Sequence, residues 1–173
     1  MNDFQEIIKY SLPATFVALA VIIVIYAFFK DARNRRNDEL SAENRKLTLS
    51  LRLQAYERIA LFLERVKIQQ LIIRLSRPGM AALQLQWEMI NNVNEEFEHN
   101  FSQQIYVSID LWDMVRIAKE SLIQQINTSA KALDLQSTGE ELARILLEGD
   151  MDQKTDYLQD ALVILKKEVR QLF

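Results

Sequence analysis

Cysteine is absent from the 173-residue chain, and histidine occurs once, at His99. Without a thiol there is no disulfide, no thiolate nucleophile and no Cys-ligated zinc. One imidazole excludes a multi-histidine metal site within a single chain. Glycine occurs three times and proline twice. A β-sandwich or barrel needs turn residues at each hairpin, so punctuation this sparse argues for long helices and few connections. The glycines stand apart at 79, 139 and 149, so no Gly-rich loop can cradle a phosphate. The net charge is −3, and beyond Lys46 there are 14 basic against 18 acidic side chains. That balance is a poor footprint for nucleic acid.

What the chain does have is a long apolar run at its beginning. The 20 positions between Lys9 and Lys30 carry no charge, and 11 of those from Leu12 to Phe29 are Leu, Ile, Val or Phe. As a helix, such a stretch is about 30 Å long, the thickness of a bilayer's hydrocarbon core. Ser11 can cap it, Pro13 falls in its first turn, and Tyr10 and Tyr26 lie near its ends, where aromatic rings prefer the interface. A cleavable signal peptide would have a basic leader and a small-residue cleavage site; Asp3 and Glu6 accompany Lys9, and AFFKDARNRR follows the run. We therefore expect a transmembrane helix at 12–29, preceded by a short extracytoplasmic segment at 1–11. Lys30, Arg33, Arg35 and Arg36 cluster directly behind it. Positive charge stays in the cytoplasm, which predicts a single pass with the N-terminus outside. The same four side chains, in the juxtamembrane segment 30–46, are candidates for contact with anionic lipid head groups.

From 47 to 173 the pattern predicts an all-α cytoplasmic domain, a bundle of about four to five helices. Leu47 to Leu75 reads as one helix, with Leu49-Leu53-Tyr56-Ala60-Leu63 beside Leu51-Ala55-Ile59-Phe62-Val66. Two adjacent stripes mean burial on more than one side. Arg77-Pro78-Gly79 ends it. Met80 to Asn100 follows, its expected inner face being Leu83, Trp87, Ile90, Val93 and Phe97, with Asn94 on the same line. Phe101 to Val107 reads as a loop or extended connection. Ser108 or Asp110 caps a helix from Ile109 to Leu133, facing inward through Leu111, Val115, Ala118, Leu122, Ile126 and Leu133. A capping box at Ser137 to Glu140 opens a short helix that Gly149 stops. The last helix, Asp152 to Leu172, carries Leu158, Leu162, Leu165, Val169 and Leu172 at alternating steps of four and three. This heptad-like run is the candidate partner-binding stripe.

LRLQAYERIALFLERV (Leu51 to Val66) and EEFEHNFSQQIYVS (Glu95 to Ser108) resemble the signature stretches of an uncharacterised family of small membrane-anchored proteins of Gram-negative bacteria. The resemblance implies a bacterial inner-membrane setting. It brings no reaction, cofactor or partner with it.

The sharpest chemical lead is Glu96-Phe97-Glu98-His99. Glu-x-x-His on a helix puts Glu96 and His99 on one face, as in di-iron bundles. Those sites need two such motifs and two more carboxylates, so one histidine allows the site only across a dimer, with Glu57 or Glu64 as extra ligands. The plainer reading is a helix C-terminus with a dipole-complementing imidazole. Asp150 to Lys154 resembles the start of a calcium loop, but Thr155 and Ala161 stand where Gly and Glu are required. The reading preferred is a non-enzymatic scaffold or accessory subunit that self-associates, with membrane lipid as its surroundings and no cofactor. A membrane-tethered metalloenzyme and an anionic-lipid-binding module are the alternatives.

Overall fold

The computed structural model describes residues 2–152 and 156–172, with the backbone alone described at 2–18, 20, 32, 34, 37–40, 42 and 150–152. The chain divides into one unit ending at Thr48 and a second beginning at Leu49. The architecture is all-helical: α1 (Asn2–Arg65), α2 (Ile68–Leu75), α3 (Ala82–Asn100), a 3-10 turn (Phe101–Ile105), α4 (Ile109–Lys131), α5 (Gly139–Asp152) and α6 (Tyr157–Arg170). Among the described residues there is no strand, only an isolated bridge between Ala81 and Thr138.

In the first unit, the side chains described from Leu19 to Phe29 are all exposed, the large apolar ones between 49% and 71%. Among the described residues, no helix is long and apolar enough to cross a membrane. Of the span expected at 12–29, the side chains of 12–18 and Ala20 lie outside the described residues.

The second unit is built around one apolar core. Tyr56, Ile59, Phe62 and Leu63 of α1 enter it, with Leu85 and Met89 of α3, Leu111 and Ile126 of α4, Leu142 and Leu146 of α5, and Leu162 of α6. At one end of that core Phe97 stacks on Trp112, with ring centroids 5.3 Å apart, and meets the edge of Phe62 at 6.0 Å. The ammonium of Lys119 lies 4.8 Å from the Phe97 ring centre, a cation–π contact.

The helix expected from Leu47 to Leu75 is broken. α1 stops at Arg65, and Lys67 takes an extended conformation (φ −55°, ψ 140°) before α2 begins. No proline or glycine marks the break. Tertiary contacts hold it: Val66, Ile68 and Leu71 are all buried, and Arg74 turns back to donate to the Arg65 carbonyl at 2.9 Å. That bond occupies a carbonyl which the helix end leaves without an intrahelical partner. α2 ends at Leu75, ahead of Arg77-Pro78-Gly79, where Gly79 has the positive φ of 75° that glycine tolerates best.

The buried face of α3 differs from the expected one. Leu83 and Trp87 are 53% and 64% exposed, and the helix buries Ala82, Leu85, Met89, Val93 and Phe97. Both lines share Val93 and Phe97 and diverge only towards the N-terminus. There Ala82, Leu85 and Met89 are buried, and Leu83 and the bulky indole are left outside.

Ser108 caps α4 as expected, accepting from the Leu111 N–H at 3.0 Å. Phe101–Ile105, expected as a loop, is a 3-10 turn. The capping box lies one residue later than its expected position: the Thr138 hydroxyl accepts from Glu141 N–H at 3.3 Å, and the Glu141 carboxylate accepts from Thr138 N–H at 2.9 Å. The shift follows from Gly139. Its N–H donates to Met80 O at 2.6 Å, and a side chain there would meet that carbonyl at 3.2 Å. Gly149 does not stop α5, which runs on to Asp152, and α6 begins at Tyr157 with Asp156 capping through Gln159 N–H. The start expected at Asp152 adjoins 153–155, outside the described residues.

Candidate functional site

The first place to look is the Glu96–His99 face. A hollow of about 560 Å³ opens there between α1 and α3, lined by Gln54, Glu57, Arg58, Leu61, Arg65, Glu96 and His99 among others. Glu96 and His99 share this face, as their spacing demands, but the Glu96 carboxylate is engaged. Arg65 lies 3.2 Å from it and Arg74 3.7 Å away, and the side chain is only 14% exposed. Two guanidiniums beside a carboxylate oppose a cation in the same place. Of the two further candidate ligands, Glu57 lines the same hollow and Glu64 pairs with Lys67 at 2.6 Å. Among the described residues, no group of three or more His, Asp or Glu could hold a metal ion. Glu96 here fastens the α1–α2 break to α3.

The second place is a chain of polar groups that joins α1, the start of α4 and α6. Arg52 Nη2 donates to Tyr56 Oη at 3.0 Å, and Tyr56 Oη donates to Glu168 Oε2 at 2.9 Å. Ser108 Oγ donates to Glu168 Oε1 while accepting the α4 cap bond from Leu111. Arg52 Nε also donates to the Tyr106 carbonyl at 3.3 Å. Asp110, Ile164, Lys167, Gln171 and Leu172 join Arg52, Ser108 and Glu168 in lining a hollow of about 590 Å³ at the edge of this chain. Tyr56 is 2% exposed. Burial raises its hydroxyl pKa above the ordinary tyrosine value; the bond from Arg52 works against this, and the Glu168 carboxylate adds to it. Tyr56 is therefore held as a protonated donor. Ser108 is likewise committed at both ends, as a helix cap and as a donor to Glu168. The chemistry this supports is a latch between helices rather than an activated nucleophile.

Sequence patterns missed this latch. Tyr56 fitted an apolar stripe, and Glu168 lies 112 positions away with no local motif. One signal was available: a tyrosine placed in a core must find a partner for its hydroxyl, and Arg52 stands one helical turn before it.

The candidate stripe on α6 faces the chain's own core. Leu162 and Leu165 are buried in it, and Leu158, Val169 and Leu172 pack against it. Lys30, Arg33, Arg35 and Arg36 are exposed, and Arg35 pairs with Asp31 at 2.9 Å. No curated protein and no solved structure matches the chain. A family model does match, over residues 2–172, and the chain therefore belongs to the Family of unknown function (DUF7935).

Proposed function

We propose that this protein is a membrane-anchored scaffold or accessory subunit. It sits in the bacterial inner membrane, N-terminus outside, and acts through helix-mediated protein contacts that include self-association. The observation that carries the reading is the exposure of the side chains described from Leu19 to Phe29. Eleven consecutive helical residues cover every direction around the axis, so no polar side remains to face water. Such a surface needs an apolar surrounding, and Leu12, Phe16 and Val17 extend it in sequence. The exposed cations at Lys30, Arg33, Arg35 and Arg36 support the orientation and favour contact with anionic head groups as a second role for the same junction.

The commitment of Glu96 to Arg65 and Arg74 and of Glu168 to Tyr56 and Ser108 supports a binding role over a reaction. Purified in mild detergent, the full chain is expected to give a mass above one protein copy by light scattering with the detergent subtracted. A monomer that also recovers no partner from native membranes would contradict the reading.

A further inference from the structure

We infer that α1 carries a parallel self-association seam along Leu51, Gln54, Arg58, Leu61 and Arg65. The inference rests on the membrane-anchored reading and names the surface and partner for it: a second copy of this chain. Within the second unit, one face of α1 enters the core through Ala55, Tyr56, Ile59, Phe62, Leu63 and Val66. The opposite face stays uncovered, with residues 51, 54, 57, 58, 61, 64 and 65 all exposed. That face has the 3-4-3-4 spacing of a coiled-coil seam. Leu51, Arg58 and Arg65 fall at a, Gln54 and Leu61 at d, and Glu57 and Glu64 at g. The hollow of about 560 Å³ lies along the same line, with Glu96 and His99 as its α3 wall.

Charge decides the occupant and its direction. In a parallel pair, the hole that receives an a side chain is flanked by the g residue just before it on the facing helix. Arg58 then meets Glu57 of the second copy, and the contact repeats across the two-fold axis; Arg65 and Glu64 are already held within their own chain by Glu96 and Lys67 and add no pair to it. Among the described residues, Glu57 and Arg58 form no ion pair within their own chain. Two copies held in one bilayer by the same end enter with the same polarity, as this pairing requires. The seam is short and has only two leucines. Confinement to a membrane raises the effective concentration enough for such a contact to matter.

The absence of cysteine makes the test direct. Gln54→Cys, Leu61→Cys and, as a control on the exposed part of α2, Ile73→Cys are each placed in the full chain and oxidised gently in native membranes. The seam predicts dimer bands at 54 and at 61 and none at 73. Arg58→Glu, added to Leu61→Cys, sets carboxylate against carboxylate and should weaken dimerisation roughly five-fold, about the effect of 1 kcal/mol. Adding Glu57→Arg to that variant should restore it. If the chain is oligomeric yet 54 and 61 do not cross-link, or the charge swap fails to rescue, the seam is wrong and self-association lies elsewhere. If the chain is monomeric in detergent and gives no band, the seam and the self-associating reading fall together.

Discussion

Replacing Phe62 by alanine is expected to destabilise the second unit by about 3–5 kcal/mol, the usual cost of deleting a buried ring. Phe62 is buried on the inner face of α1 and meets the edge of Phe97, which in turn stacks on Trp112. The truncation leaves a void between α1 and α3 at the point where those helices and α4 converge. It also removes an aromatic contact worth about 0.5–1.5 kcal/mol beyond its area. For a unit of this size, the melting temperature should fall by roughly 10–20 °C, read by circular dichroism on the full chain in detergent. Ile73→Ala, at an exposed site, should stay within about 0.5 kcal/mol of the parent. Equal effects at the two sites would mean that the core is not where it is described.

Glu168→Ala should have the second largest effect. It strips the acceptor from two hydroxyls at once, those of Tyr56 and Ser108. Leaving the buried Tyr56 hydroxyl without a partner costs about 1–3 kcal/mol, and the half-buried Ser108 hydroxyl, at the edge of an open hollow, can turn to water, so a loss of about 1–3 kcal/mol is expected. Glu168→Gln keeps one acceptor oxygen and should lose less. The latch also predicts a dependence on alkaline pH. The folded pKa of Tyr56 is raised, so folding retains a proton that the unfolded chain releases near pH 10. The stabilisation is complete below that pH and is lost as pH rises through the higher folded value. Tyr56→Phe should therefore flatten the fall in stability above pH 10. A Tyr56→Phe profile that follows the parent would remove Tyr56 as the cause.

Helix content and several termini were legible before any coordinates, because they depend on local chemistry. The stripe Leu111-Val115-Ala118-Leu122-Ile126 and the start of its helix are examples: a run spaced by three and four behind Ser108 and Asp110 marks a helix capped by one of the two, and Ser108 is the cap. Where two apolar lines coexist, local pattern cannot choose. On α3, Leu83-Trp87 and Leu85-Met89 are equally good stripes. The choice falls to tertiary packing, and Leu85-Met89 is the pair that it buries. The break at Lys67 was hidden for the same reason, since apolar residues continue through it and a distant arginine, Arg74, closes the helix end. The apolar stripe on α6, a candidate for partner contact by its spacing, packs into the core of its own chain. Long-range polar pairing, as between Tyr56 and Glu168, leaves no periodic trace at all.

Both the scaffold reading and the α1 seam rest on the proposal that the leading helix is embedded in lipid. Its most direct test is to wash membranes from cells making the full chain with alkaline carbonate and spin them at high speed without detergent. An integral span at 12–29 predicts that the protein stays in the pellet and dissolves only when detergent is added. Full release into the supernatant would contradict the anchor and everything built on it.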